Sequence, residues 1–376
     1  MSPRNRIAEV LYLRNPGGFW PALALLLAPL GWLYGLLMRL RAWCYRAGIF
    51  SSTRIGCPVI SVGNLTAGGT GKTPLTIFLA AALQRRGRRP VVISRGYRGR
   101  LEGQVAVVSD GNSILLSAAD AGDEPVLMAR RLPGIPVVIG ARRAEAAALA
   151  REKLGANVIV CDDAFSHLAL RRDCDIVLAH ARDGLGNGRC LPAGPLREPA
   201  KAIRRANLVV LNATAGEDPR TEAELRRAGF RAAVWRLTYG SLSWRRYADD
   251  GPVDLSALAD RRVLAFTATA RPRDVFESFA RAGCDIVIGE TFPDHHAYHA
   301  ADLARLAQLA AARGICYLAT TEKDAVKLPV LPSDSPPLLV AALAPEGVGE
   351  PLERLADRVE EICWPDRPSF LTATEP

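Results

Sequence analysis

From residue 58 onward, short and nearly unbroken apolar runs alternate with longer stretches whose apolar residues recur at helical spacing. The runs at 58–62, 90–94, 136–139, 157–161, 175–179 and 208–211 are rich in Val, Ile and Leu. Strands of that kind are buried on both faces, which predicts a parallel sheet covered by helices such as 75–84 and 141–154. Residues 230–260 break the rhythm, with Trp235, Trp244 and Tyr247 set among polar residues. Alternation then resumes: 262–266, 285–288, 315–319 and 337–341 read as strands, and 274–282 and 301–312 as helices. The fold class predicted is α/β. A parallel-sheet domain spans 55–230, a two-stranded connector 231–260, and a smaller α/β domain 261–376, with a separate helical segment at 1–54. Ligands of such sheets sit at the carboxyl ends of the strands, and two such domains place them in the cleft between.

The leading segment changes the picture. It carries seven arginines against the lone Glu9, which is +6 of the chain's formal +9. Between the arginines lie twenty uncharged residues, 19–38, containing Trp20, Trp32 and Tyr34. That length suits a bilayer span, but Pro21, Pro29, Gly31 and Gly35 interrupt it. A span would also strand arginines on the far side, against the positive-inside bias. A broken helix lying in the interface, arginines on anionic head groups and aromatics at headgroup level, fits better. A helix packed on the protein's own core is the plain alternative. The eight cysteines form no CxxC pair, so buried, reduced thiols are expected. The arginine runs near 85–100 lack interleaved aromatics, so no nucleic-acid partner is predicted.

Candidate chemistry begins after the first strand of the body. Residues 62–73 read Val-Gly-Asn-Leu-Thr-Ala-Gly-Gly-Thr-Gly-Lys-Thr and open onto the first helical pattern. This is the layout of a P-loop: backbone amides and a helix N-terminus gather on a phosphate, Lys72 reaches the outer phosphates, and the Thr73 hydroxyl takes Mg²⁺. Thr66 stands where the strict pattern has its first glycine, so Thr66, Ala67, Gly68, Gly69, Thr70 and Gly71 form a variant loop. Such a site also implies ATP. The guanine-reading Asn-Lys-x-Asp is absent, since Leu211-Asn212-Ala213-Thr214 lacks it. A switch that hydrolyses ATP without a second substrate would share these motifs, and so would a kinase.

The run 157–161 ends in Asp162-Asp163, the Walker-B arrangement, in which one carboxylate binds Mg²⁺ and the other supports it. Asp123-Glu124-Pro125 reads as a loop before a helical 126–131. Its acids serve equally as partners of a helix dipole or as a general base for an incoming hydroxyl. Arg142 or Arg143, after the strand at 136–139, and the adjacent Arg197 and Glu198 suit phosphate charge. Asp294-His295-His296 follows a strand of the second domain, and one of the two histidines acting with a first-domain carboxylate suits proton transfer better than a metal site.

These pieces, with Ser94-Arg95-Gly96-Tyr97, Leu191-Pro192-Ala193-Gly194-Pro195-Leu196-Arg197-Glu198-Pro199 and Thr321-Glu322-Lys323-Asp324-Ala325-Val326-Lys327, resemble the tetraacyldisaccharide 4′-kinases, lipid A kinases of Gram-negative bacteria, over nearly the whole chain. The resemblance implies ATP-dependent phosphorylation of the 4′-hydroxyl of a membrane-embedded acylated disaccharide 1-phosphate, a step of lipid A synthesis. It implies work at the anionic cytoplasmic face of the inner membrane, with no obligate protein partner. Combined with the motifs, it predicts Lys72 on the triphosphate, Thr73, Asp162 and Asp163 around Mg²⁺, and Asp123 as base in a dyad with His295. Arg143, Arg197 and Glu198 would organise phosphate charge and metal-bound water.

Overall fold

A computed structural model describes residues 20–240, 242–254, 262–269, 272–294 and 296–365. Strands run in chain order as β1 (Val59–Asn64), β2 (Pro90–Ser94), β3 (Ala106–Ser109), β4 (Val137–Ile139), β5 (Val158–Asp162), β6 (Cys174–His180), β7 (Leu208–Asn212) and β8 (Val234–Thr238). They continue as β9 (Leu242–Arg246), β10 (Pro252–Val253), β11 (Arg262–Thr267), β12 (Asp285–Thr291), β13 (Tyr317–Thr321), β14 (Leu338–Leu343) and β15 (Glu346–Gly347).

Two sheets result, a nine-stranded one in the order β15-β8-β7-β6-β1-β5-β2-β4-β3 and a six-stranded one in the order β10-β9-β14-β13-β11-β12. In the large sheet only the edge strands β3 and β15 are antiparallel to their neighbours. All six residues of β1 are buried, as are all five of β2, β5 and β7. The apolar runs therefore became central strands because helices close both faces of the sheet. β1 lies between β5 and β6, so the loop after β1 and the carboxylates after β5 emerge side by side. The small sheet is parallel from β12 through β14, with β9 and β10 antiparallel. Helix Pro272–Arg281 seals one face through Phe279, and helix Ala300–Ala312 seals the other through Leu303, Leu306 and Ala310.

The expected boundaries do not match where the sheets part. The supposed connector 231–260 gives β8 to the large sheet and β9 and β10 to the small one. The stretch after β14, expected in the second domain, crosses back: β15 pairs with β8, and helix Leu352–Cys363 packs on the P-loop helix Lys72–Arg85. Leu352, Leu355 and Val359 join Leu75, Leu79 and Leu83 in one core, each worth about 1.5–3 kcal/mol of burial. Ion pairs clamp the same helix, with Arg88 Nε 2.8 Å from Glu360 and Arg86 2.6 Å from Asp357.

At the other end, helices Trp20–Leu26 and Ala28–Arg46 lie against the 190–199 loop. The face turned inward carries Gly31 and Gly35, both buried, and Tyr34, whose hydroxyl donates to the Arg197 carbonyl at 3.0 Å. The outward face exposes Leu26, Leu30, Trp32, Leu33, Leu37, Leu40 and Trp43. Among the described residues no helix is long and apolar enough to cross a membrane.

Candidate active site

The glycine-rich loop enters helix Lys72–Arg85 through Gly71 at φ +92°, a left-handed conformation that a side chain at this position disfavours. Side chains at neighbouring strand ends seize the loop's carbonyls. Asn64 donates to Thr66 O at 2.7 Å and Gly68 O at 3.3 Å, and Asn212 donates to Thr70 O at 3.1 Å. His180 Nε2 sits 3.0 Å from Gly69 O, and the Tyr239 hydroxyl donates to Gly71 O. Burial pushes the Tyr239 phenol up, so it stays a donor. Because C=O and the following N–H oppose one another across a planar peptide, the amides of Gly69, Thr70, Gly71 and Lys72 point the other way, as a phosphate cradle requires. The 191–199 loop braces the assembly from outside, Ala67 N–H donating to Pro195 O and Arg197 N–H to Leu65 O, both at 2.8 Å.

The Walker-B pair lies beside this cradle. Asp162 is buried, with Oδ2 3.5 Å from the Thr73 hydroxyl and Oδ1 3.2 Å from that of Thr76. Its carboxyl is pushed up to about 7, chiefly by burial and then by the nearby Glu124 carboxylate, against the pull of Lys72. Among the described residues no side-chain cation lies within ion-pair distance of it, though Lys72 acts on it from further off. Together with the Thr73 hydroxyl this carboxylate forms a hard-oxygen set that fits Mg²⁺ better than any softer metal. Asp163 adopts φ +50°, which turns its side chain to Lys72, 3.9 Å away, and to Arg197, at 2.9 and 3.1 Å. Burial opposes its ionisation, but Lys72 and Arg197 outweigh that and hold it below the usual carboxylate range.

Of the two arginines left open, Arg142 pairs with Glu145 on the surface, while Arg143 is buried and donates to Gly140 O and, at 3.4 Å, to Asp162 O. Its Nε finds no partner among the described residues, so a donor remains unspent at the base of the cradle. Glu198 goes elsewhere: it is buried, and the half-buried Arg205, its guanidinium over the Phe165 ring, takes both its oxygens, at 2.8 and 3.0 Å. It orients the loop that carries Arg197, and the expected part in holding metal-bound water is not supported by that geometry.

Asp123 is not in a loop. It opens helix Asp123–Arg131 after Gly122, whose φ is +89° and where a Cβ would come within 2.6 Å of the Tyr97 carbonyl oxygen, so only glycine fits. Asp123 is buried, and across the cleft the ammonium of Lys327 lies 3.6 Å from its Oδ2. Further ties join the two sheets here: Arg131 to Glu322 at 2.7 Å, Lys323 to Glu124 at 3.7 Å, and Arg98 to the Asp294 carbonyl at 3.2 Å. His295 lies outside the described residues. His296 stacks on Phe292 and meets Asp302 at 2.9 Å, which commits it to the start of helix Ala300–Ala312.

Sequence reasoning missed Asn64, His180, Asn212, Tyr239 and Lys327 as site residues. The first three close strands β1, β6 and β7 at their carboxyl ends, where a ligand-facing polar residue is expected, so that signal was present. Tyr239 carries no local signal, and Lys327 closes a run already singled out, but the contact each makes joins two distant stretches of chain.

A family model for tetraacyldisaccharide-1-P 4′-kinase matches residues 23–354. The tetraacyldisaccharide 4′-kinase of Geobacter sulfurreducens is 46% identical over 300 residues, covering 79% of this chain and 82% of that one. That of Anaeromyxobacter dehalogenans is 45% identical over 293 residues, covering 77% of each. A crystal structure of LpxK from Aquifex aeolicus in complex with ATP matches with a TM-score of 0.73 and 30% identity, covering 91% of this chain and all of that one. With a family model spanning most of its length and such relatives beside it, the chain belongs to the tetraacyldisaccharide 4′-kinase family.

Proposed function

We infer that the protein transfers the γ-phosphate of ATP to the 4′-hydroxyl of a tetraacyldisaccharide 1-phosphate, a step of lipid A synthesis. The observation that supports this beyond nucleotide binding is the buried Asp123, 3.6 Å from the Lys327 ammonium of the other sheet; its neighbour Glu124 is close enough to Asp162 to raise that carboxyl. A carboxylate so placed suits a base that takes the acceptor's proton, and the lipid dependence of phosphate release separates a kinase from a switch that activates water.

Lys72 and the loop amides bind the triphosphate. Asp123 accepts the proton of the 4′-hydroxyl as its oxygen bonds to the γ-phosphorus, and the bridging bond to the β-phosphate breaks to release ADP. Arg143 and Arg197 set charge around the transferred group, Arg197 also fixing Asp163. Mg²⁺, held by Thr73 and Asp162 with Asp163 behind, would neutralise phosphate charge. His295 is assigned to orient Asp123 or relay its proton. Catalysis of this kind is mostly positioning and charge neutralisation.

The outward apolar face of the N-terminal helices is too extensive for a free surface, with Leu26 76% and Trp32 68% exposed. Flanked by arginines, it suits insertion into an anionic interface, which puts the cleft where the acyl chains of the substrate stay in the bilayer. ATP is supplied from the cytoplasm, so the cytoplasmic face of the inner membrane is the assigned location. The test is transfer of labelled γ-phosphate to tetraacyldisaccharide 1-phosphate in detergent micelles beside a lipid-free control. Label in the lipid with little free phosphate in the control is expected; phosphate release indifferent to lipid would replace the kinase by a switch.

A further inference from the structure

The inner face of helix Ala28–Arg46 brings polar groups as well as glycines to the body of the protein. Gly31 and Gly35 let the helix lie directly on the 190–199 loop, since a Cβ at Gly31 would come within 2.8 Å of the Ala193 side chain and the Cys190 carbonyl. At that separation the Tyr34 hydroxyl reaches the Arg197 carbonyl and donates to it at 3.0 Å. Burial pushes the Tyr34 phenol up, so it stays a donor. Seven residues on, two turns along the same face, Arg41 Nη1 donates to the Ser166 carbonyl at 3.1 Å. Past the helix the chain follows that second stretch, the Ser52 hydroxyl donating to Leu168 O at 2.9 Å and the Thr53 amide to Ala169 O at 2.8 Å.

Arg197 and Ser166 belong to the two loops that flank the phosphate cradle. Arg197 is fastened at each of its polar groups: the N–H donates to Leu65 O at 2.8 Å, the carbonyl accepts from Tyr34, and the guanidinium meets Asp163 at 2.9 and 3.1 Å. Asp163 lies three residues before Ser166 and adopts φ +50°, a conformation that a residue with a side chain keeps only where its surroundings hold it. Its N–H donates to Val62 O at 2.8 Å, and Lys72 stands 3.9 Å from its Oδ1. Both loops that carry the Arg197–Asp163 pair therefore have a main-chain anchor on the helix. Phosphoryl transfer depends on alignment, and a misplacement of about 1 Å at such a pair costs up to about 10²-fold in rate.

We propose that Tyr34 and Arg41 are positioning residues for phosphoryl transfer, through which helix Ala28–Arg46 sets the Arg197–Asp163 pair against the cradle. This rests on the reading that Arg197 sets charge around the transferred phosphate. The helix then acts through both faces. Its outward apolar side meets lipid, and its inward side holds the nucleotide end in register. A chain with this helix lifted from the loop would still bind ATP through Lys72 and the loop amides, but would transfer the phosphate slowly.

The experiment is a double-mutant cycle on the full chain in micelles with ATP and tetraacyldisaccharide 1-phosphate: Tyr34→Phe, Arg197→Met and both together. Sedimentation with vesicles of phosphatidylethanolamine and phosphatidylglycerol, and thermal unfolding, are measured in parallel. Tyr34→Phe keeps the ring and removes one hydrogen bond, and is expected to lower kcat about three- to tenfold with KM for the lipid and vesicle binding unchanged. Arg197→Met is expected to cost about 10²-fold, and in that background Tyr34→Phe should cost less than about twofold. Arg41→Met should also lower kcat about three- to tenfold, and Arg41→Lys, which keeps a donor and the charge, should restore most of the loss. An equal loss from Tyr34→Phe in both backgrounds, or a loss of vesicle binding that accounts for the fall in kcat, would confine the helix to attachment and overturn the inference. So would a lower unfolding temperature of Tyr34→Phe with normal kcat, which makes the bond structural alone. Normal turnover of Arg197→Met would remove the Arg197 reading and this inference with it, while leaving the kinase reading standing. Phosphate release indifferent to lipid in the unaltered chain would remove the kinase reading itself, and with it the transfer that these residues are proposed to align.

Discussion

The two ends of the cleft are built on opposite plans. The phosphate end is made of residues 64–73 and the carboxyl ends of β1, β5, β6 and β7, all in one sheet, and most of its ties are hydrogen bonds with backbone carbonyls. The proposed acceptor end joins Asp123 and Arg131 of the large sheet to Lys327 and Glu322 of the small one, through ion pairs across the cleft. A cradle made within one sheet is pre-organised before nucleotide arrives. An acceptor site made of two lobes is assembled, and what assembles can be withheld until the second substrate is present. Nucleotide binding is therefore expected to survive damage at the acceptor end, whereas damage at the cradle should reach both.

The sharpest break of that contrast is at Lys72. Lys72→Ala removes the side-chain cation of the cradle and one of the two cations facing Asp163, and is expected to cost about 10³-fold in kcat/KM, with ATP affinity visibly weakened. Unchanged kinetics would end the cradle assignment. Next comes Asp123→Ala, expected to lower kcat by roughly 10²-fold or more while ATP still binds with near-normal affinity by calorimetry. Loss of ATP binding in a folded Asp123→Ala variant would mean that the two ends are one site.

Legibility in the sequence follows the same division. The glycine-rich loop and Asp162-Asp163 fall side by side as the sequence predicts, because each directly follows a strongly apolar strand and β1 and β5 are neighbours. The strand ends were readable to within a few residues for the same reason. The return of β15 and helix Leu352–Cys363 to the large sheet was not. The amphipathic pattern of that helix shows that it buries a face, but nothing local shows that the face meets Leu75 and Leu79. Glu198 misled in the opposite way: its neighbour Arg197 does face Asp163, but successive residues of an extended loop point apart, and Glu198 was delivered to Arg205.

The ion pair between Arg131 and Glu322 tests the lobe contact without touching the proposed base. Both Glu322 oxygens lie within 2.9 Å of Arg131, and burial pushes the Glu322 carboxyl up despite that partner. Glu322→Gln keeps the shape and removes the charge. It should weaken the contact by about 1–2 kcal/mol, about tenfold in kcat, with ATP affinity unchanged. A fall in ATP affinity equal to the fall in kcat would put Glu322 in the nucleotide site instead.

The smallest expected effect is at Tyr239, and it sharpens the contrast because it lies on the other side of it. The Tyr239 hydroxyl meets the carbonyl of Gly71, at the point where the glycine's left-handed backbone turns the loop into its helix. Its ring fills the space beside that glycine, so Tyr239→Phe leaves the packing in place and removes one hydrogen bond. A neutral bond of this sort is worth about 1 kcal/mol, about fivefold in an equilibrium constant. If the bond serves to aim the Gly71–Lys72 amide at phosphate, that fivefold belongs in the affinity for ATP, with kcat at saturating ATP little changed. If it serves only the fold, the loss appears as a lower unfolding temperature with ATP affinity intact. The first outcome keeps the cradle as a part set in advance by its own sheet, and the second would confine that setting to Asn64, His180 and Asn212.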